Sequence, residues 1–126
     1  MKKIWANLGV DDLERTTRFY SEIGFKLNGT AKDLTSFGIG EDNFVINFFL
    51  NDVLRTAIKG ELADLKNGNE MIFTLGVDSK KAVDDWEEGV ARVGGNIISR
   101  PEEFGEGYYG FVFSDPDGHK FNVFFM

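Results

Sequence analysis

The chain has 126 residues, of which 42% are hydrophobic, and its formal net charge is −7. A chain of this length is typical of one domain that buries about two-thirds of its unfolded surface. It has no Cys, which excludes disulfides, thiolate metal sites and cysteine nucleophiles. No basic patch or long apolar run is present, so we expect no nucleic-acid partner and no membrane association. Without Cys or a recognisable signal segment, we expect a cytoplasmic protein.

The sequence nearly repeats itself. NLGVDD at 7–12 returns as TLGVDS at 74–79, and VINFF at 45–49 returns as KFNVF at 120–124. The two spacings differ, so the second copy carries extra residues between these landmarks. Repetition on this scale indicates one supersecondary unit used twice.

We therefore predict two modules within a single domain. Module one covers about 1–58, a polar crossing follows at 59–69, and module two covers about 70–126. Asn51 is placed to cap a short helix at 52–58 that ends the first module.

The first module reads as strand, helix and three further strands. A strand at about 3–10 precedes Asp11 or Asp12, either of which can cap a helix with its carboxylate. Gly24 supplies the left-handed residue that ends this helix. The remaining strands are expected near 25–30, 34–39 and 43–50.

The second module repeats that order. A strand at 70–78 leads to Asp78 or Ser79, which caps a helix with an apolar stripe, and Gly94-Gly95 ends the helix. The remaining strands are expected near 96–100, 107–114 and 119–125.

Asp115-Pro116-Asp117-Gly118 predicts a tight turn between the last two strands. Pro fixes φ at the second position, the Asp side chain accepts hydrogen bonds from nearby backbone amides, and Gly takes a positive φ. His119, the only histidine, follows the turn and lies three residues before Asn122. Alternation sends the two side chains to opposite faces, so we expect His119 to stay on the turn or point away from Asn122. We predict no catalytic role for it.

The paired βαβββ pattern, the segment VDDLERTTRFYSEIGF at 10–25 and the segment FSDPDGHKFNV at 113–123 together resemble the vicinal oxygen chelate superfamily. This superfamily contains glyoxalases, dioxygenases and bleomycin-resistance proteins. The resemblance implies an α+β fold in which two modules form a pair of half-barrels around a cleft. In metal-dependent members, His or Glu from the first and last strand of each module binds a divalent ion there.

The resemblance assigns those four ligand positions to Trp5, Asn47, Ile72 and Asn122. None carries an imidazole or a carboxylate, and an amide oxygen is a weak ligand for a transition metal. We therefore predict no bound metal and no other cofactor.

Strand alternation predicts which side chains line the inner wall of the cleft. The candidate ligand-binding residues are Trp5, Asn7, Asn47, Phe49, Ile72, Thr74, Tyr109, Phe111, Asn122 and Phe124. The opposite faces, packed under the helices, are expected to hold Ile46, Phe48, Phe73, Phe121 and Val123. Asn47 and Asn122 either contact a ligand or hydrogen-bond to each other or to water. The stretch GEGYYG at 105–110 reads either as a mobile flap with an aromatic tip or as a solvated acidic loop.

An apolar wall with a few amides and hydroxyls suits a small organic ligand. With the family ligand positions lacking metal donors, the sequence favours a metal-independent binding protein. The resemblance to the glyoxalase/bleomycin-resistance group implies that it sequesters a drug-like or aromatic compound as a homodimer, as related proteins do. Catalytic residues stay unassigned. The alternatives are a glyoxalase-like enzyme with an atypical site, using Tyr108, Tyr109 or a carboxylate, and an interaction module whose cleft is closed by aromatic side chains.

Overall fold

The structure is a computed structural model that describes all 126 residues. The chain forms two compact units, Met1–Leu62 and Ala63–Met126, which are called the first and second modules below. Each contains one four-stranded sheet, so the predicted α+β fold with paired βαβββ modules is confirmed. The boundary falls inside the predicted crossing. That both modules make one domain stays a prediction.

In the first module the sheet has the strand order β1-β4-β3-β2, with β1 parallel to β4 and the other pairs antiparallel. Its elements are β1 Ala6–Val10, α1 Leu13–Glu22, β2 Lys26–Thr30, β3 Leu34–Ile39, β4 Phe44–Leu50 and α2 Asn51–Ile58.

The second sheet has the equivalent order β5-β8-β7-β6, again with one parallel pair, β5 with β8. Its elements are β5 Ile72–Gly76, α3 Lys80–Arg92, β6 Asn96–Glu103, β7 Tyr109–Ser114 and β8 Lys120–Phe125. None of the three helices of the structure has the length and apolarity needed to cross a bilayer.

The helix boundaries follow local chemistry. Asp12 caps α1 by accepting from the Arg15 amide at 3.0 Å, and Ser79 caps α3 by accepting from the Ala82 amide at 3.0 Å. Gly24 follows α1 with φ near 101°, a conformation that side chains with a Cβ adopt with strain. The predicted helix starts and the first stop are therefore confirmed.

The predicted cap of α2 is wrong. Asn51 is the first residue of that helix, and no side chain caps the helix. The side-chain Nδ2 of Asn51 instead donates to Asp11 Oδ1 at 2.6 Å, which ties the end of β4 to the end of β1. A long-range carboxylate partner has replaced the local hydrogen bond that the sequence favoured.

The first core lies between α1 and its sheet. Tyr20 is fully buried, and its ring stacks on Phe48 with centroids 4.5 Å apart. Phe37 and Ile46 are also fully buried. The prediction that Ile46 and Phe48 pack under the helix is confirmed.

The second core is built in the same way under α3. Phe121 stacks on Phe113 at 5.3 Å and on Phe73 at 5.4 Å. Val83 of α3 is fully buried, as is Val123 of β8. The predicted helix-facing positions of β8, Phe121 and Val123, are therefore confirmed.

The turn between β7 and β8 forms as expected. The Gly118 amide donates to the Asp115 carbonyl at 3.0 Å, and Gly118 has φ near 99°. The Asp115 carboxylate, 3% exposed, accepts from the amides of Asp117 and His119. The Asp115 amide donates to the His119 carbonyl at 2.9 Å. His119 thus belongs to the turn, and the loop between the strands has five residues.

Two glycines provide a test of packing. Gly110 in β7 has no room for a side chain, because an added Cβ would collide with the Val123 carbonyl oxygen and lie 3.2 Å from the Phe124 ring. A Cβ added to Gly89 in α3 would have no atom within 4 Å. We expect Gly110→Ala to destabilise the fold by about 1–3 kcal/mol and Gly89→Ala to stabilise it by about 1 kcal/mol. Urea unfolding of both variants checks this. Equal free energies of unfolding for the two variants would contradict the packing described.

Candidate functional site

Each sheet has one face packed on its helix and one face turned away from it, called the open face below. In the first module the open face carries Asn7, Val45, Asn47 and Phe49, since their neighbours Ile46 and Phe48 are buried under the helix. Asn47 Nδ2 donates to Asn7 Oδ1 at 3.3 Å across paired strands. Trp5 precedes β1 and is 51% exposed.

The amides of the first open face continue across the sheet. Ser36 of β3 pairs with Asn47, and Asn28 Nδ2 of β2 donates to Ser36 Oγ at 3.4 Å. A row of neutral hydrogen-bonding groups therefore crosses all four strands. Such a row can bind the polar edge of an organic molecule without any charge.

In the second module the open face is set by the pairing of β5 with β8. Thr74 pairs with Asn122, and Gly76 pairs with Phe124. Asn122 Oδ1 is shielded from solvent and accepts no hydrogen bond. An unpaired buried acceptor costs about 1–3 kcal/mol, so this atom is a candidate for ligand contact.

Lys120 also lies on this face, but its ammonium group is already used. Lys120 Nζ donates to the Gly118 carbonyl at 2.6 Å and to the Leu65 carbonyl at 3.1 Å. The cation thus holds the β7–β8 turn against the segment that precedes β5.

The predicted inward positions of Tyr109 and Phe111 are wrong. Phe111 pairs with Val123 and is fully buried on the helix-packed face, whereas Val112 pairs with Asn122 on the open face. The five-residue loop shifts the pairing by one residue relative to the four-residue loop that the sequence suggested. A shift of one residue exchanges the two faces of a strand.

Tyr109 shares the helix-packed face, where its hydroxyl donates to Asp84 Oδ1 of α3 at 2.7 Å. This hydrogen bond, with desolvation and the Asp84 charge, raises the pKa of the Tyr109 phenol. Lys80 lies 5.6 Å from the centre of the Tyr109 ring and forms an ion pair with Glu103, which lowers the pKa of the Glu103 carboxyl. The cluster fastens β6 and β7 to α3.

The stretch between β6 and β7 closes as a turn. The Phe104 amide donates to the Tyr108 carbonyl at 3.1 Å, and Gly105 and Gly107 take positive φ values of 70° and 81°. The rings of Phe104 and Tyr108 both stack on Phe124, each with centroids 5.5 Å apart. The sequence indicated an aromatic tip here, but not that it packs on Phe124.

A metal site requires several strong donors in one place. The structure contains no group of three or more His, Asp or Glu side chains that could hold an ion. The four positions implied by the resemblance hold an indole, two amides and an aliphatic chain, and Ile72 is 48% exposed. This donor set does not fit a divalent transition metal.

We expect Asp84→Asn to lower the pKa of the Tyr109 phenol toward its ordinary value. The substitution removes the carboxylate that accepts the phenol hydrogen bond, and with it the negative charge that opposes phenolate formation. Since the native pKa lies above that of the unfolded chain, the interaction stabilises the fold below the ordinary tyrosine pKa. That contribution is lost as the pH rises through the raised value. Asp85→Asn, which removes the partner of Lys81 on the same helix, is the control. Ultraviolet titration of phenolate absorbance measures both, and identical curves would disprove the assignment.

The chain matches the family model of the Glyoxalase/Bleomycin resistance protein/Dioxygenase superfamily over residues 4–123. Among solved structures it is similar to hypothetical protein SA1046 of S. aureus, at 30% identity and a TM-score of 0.89, covering 100% of this chain and 94% of that one. A glyoxalase-related enzyme from Fulvimarina pelagi follows, with 21% identity, a TM-score of 0.87, and coverage of 100% of this chain and 89% of that one.

A lactoylglutathione lyase from Agrobacterium tumefaciens is similar at 19% identity and a TM-score of 0.74, with coverage of 99% of this chain and 94% of that one. At these lower identities the likeness shows the fold alone. No curated protein matches the chain significantly.

Proposed function

Because the chain belongs to the glyoxalase/bleomycin resistance protein/dioxygenase superfamily, we propose that it is a metal-independent binding protein for a small organic ligand. The donor chemistry of the four family ligand positions carries this proposal. Neutral amides at Asn47 and Asn122 bind polar edges of organic molecules but hold transition metals poorly. The side chains beside them, Phe49, Ile72 and Phe124, supply apolar contact area.

The proposed contact residues lie on the open faces of both sheets. In the first module they are Asn7, Asn47 and Phe49, together with Trp5 just before β1. In the second module they are Ile72, Thr74, Asn122 and Phe124. Tyr109 and Phe111 are withdrawn from this set because they lie on the helix-packed face. A drug-like or aromatic compound suits the mixture of rings and amides, and sequestration is the role we propose.

The proposal extends to a cytoplasmic homodimer. Ile4 and Met71 occupy repeat-equivalent positions just before β1 and β5, and their side chains are 72% and 52% exposed. Large exposed apolar side chains at the same place in both modules favour contact with a second copy. Sedimentation of the purified protein should give twice the 14.2 kDa mass of the chain.

A glyoxalase-like enzyme is the second candidate, because the family whose model matches the chain includes glyoxalases and dioxygenases. Among the acid and base groups considered for it, Tyr109 is poorly suited. Its hydroxyl is bound to Asp84 on the helix side, and the shift raises the pKa of the phenol further above neutral pH, away from the range of an efficient acid or base.

We expect purified protein from cells grown with added nickel or zinc to contain metal far below one ion per chain, and to show no glyoxalase turnover with either ion. Elemental analysis and a standard glyoxalase assay measure these, with an established metal-dependent glyoxalase as the positive control. Stoichiometric metal together with turnover would replace the binding-protein proposal with the enzyme.

A library of aromatic compounds tests binding directly. We expect members to raise the Tm, by an amount equivalent to about 2.7 kcal/mol at a ligand concentration one hundred times the Kd. Trp5→Ala should weaken such a ligand by roughly fivefold or more. Ile58→Ala on α2, where the side chain is 53% exposed compared with 51% for Trp5, should not. A library without any binder would overturn the proposal.

A further inference from the structure

Two equivalent glycines of the repeat have different surroundings. Gly9 of β1 pairs with Phe49, and Gly76 of β5 pairs with Phe124. Because paired residues share a face, a side chain at either glycine would project onto the open face of its sheet. The two modules therefore offer the same position for comparison.

In the first module this position is filled. A Cβ on Gly9 would collide with Asn51 Oδ1 and would lie 2.8 Å from a Leu62 methyl group and 3.4 Å from Leu54. Asn51 is held there by its hydrogen bond to Asp11. The segment that begins with α2 thus occupies the space beside Phe49.

In the second module the same position is open. A Cβ on Gly76 would have no atom within 4 Å. The Phe124 ring leans to the opposite side, toward Gly110, where its Cδ2 would lie 3.2 Å from an added Cβ. A space therefore lies over Gly76, beside the Phe124 ring.

Of the neighbouring rings, Phe124 lies beside this space, and Phe104 and Tyr108 stack on Phe124. These three rings are called the aromatic shelf. Phe104 and Tyr108 lie at only 18° and 20° to the plane of Phe124. Near-parallel rings are best extended by another flat ring, since offset stacking adds attraction to the burial of apolar area.

Next to the pair Gly76–Phe124 on the same face of the sheet lies the pair Thr74–Asn122. Asn122 Oδ1 is a shielded acceptor with no hydrogen-bond donor. A native structure rarely leaves such an atom unpaired. A ligand in contact with Phe124 lies one pair of same-face residues away from this acceptor.

We propose that the space over Gly76 is a subsite for a flat aromatic or heteroaromatic ring that carries an N–H donor. The ring stacks beside the aromatic shelf, and its N–H donates to Asn122 Oδ1. This inference rests on the proposed function and gives it a ligand class.

Indole and benzofuran test the subsite as a matched pair of probes, because they have nearly the same shape and only indole has an N–H. We expect both to shift the amide resonances of Thr74, Gly76 and Phe124 saturably in NMR titrations. Indole should bind about fivefold more tightly, the factor expected from one net hydrogen bond.

Three variants separate the contributions. Gly76→Val places its Cβ where no atom lies within 4 Å, so it should keep or raise the Tm. Because its side chain occupies the space, it should weaken both probes by roughly tenfold or more. Gly76→Ala should give a smaller effect in the same direction. Gly68→Val adds the same side chain where only the Asp64 carbonyl, at 3.9 Å, is near, and it should leave both affinities unchanged. Asn122→Leu should remove the preference for indole and keep benzofuran binding.

The outcomes are distinguishable. Equal binding of the two probes to the wild type would overturn the hydrogen bond to Asn122. Unchanged affinities in a folded Gly76→Val protein would overturn the subsite. If neither probe binds but other aromatic compounds do, the subsite is wrong and the proposed function stands. If no compound binds, both are wrong.

Discussion

The buried carboxylate of Asp115 is the contact on which the second open face depends. It accepts hydrogen bonds from two backbone amides inside the turn, and the Asp115 backbone amide donates to the His119 carbonyl. This arrangement makes His119 the last loop residue, so that Ser114 pairs with Lys120. Every later pair follows, and Asn122 comes to share a face with Val112. Because the side-chain period of a strand is two, a turn shorter by one residue would exchange the two faces of β7 against β8.

That turn also explains which parts of the structure the sequence could and could not predict. The repeat, the caps at Asp12 and Ser79 and the helix-facing residues depend on local patterns, which a sequence displays directly. Whether Phe111 faces the helix or the open side depends on the length of the β7–β8 loop. The same residues can form either a four-residue or a five-residue loop, so the sequence alone did not decide between them. Asn51 has the composition of a cap, but its partner Asp11 is 40 residues away, so no local pattern contains that contact.

The two modules keep the same backbone plan and differ in what covers it. Gly9 and Gly76 are equivalent in sequence and in pairing, yet residues of α2 and its continuation fill the space over the first glycine only. Repeat symmetry predicted the positions correctly but could not predict this difference, because the covering atoms of Asn51 and Leu62 come from outside the repeated motif. Duplication supplies two similar faces, and a short connecting segment is enough to make them chemically distinct.

Tyr108 and Tyr109 show how one short stretch of backbone serves both faces of the second sheet. Consecutive residues point to opposite sides of an extended chain, so Tyr109 reaches α3 and binds Asp84 while Tyr108 stacks on Phe124. The ion pair of Lys80 with Glu103 fastens the other end of the same turn to the same helix. The turn that carries Phe104 and Tyr108 is therefore held by contacts on the helix-packed face, and these contacts leave the open face free. A flat ligand meeting this shelf finds rings that are already aligned, which reduces the entropy lost on binding.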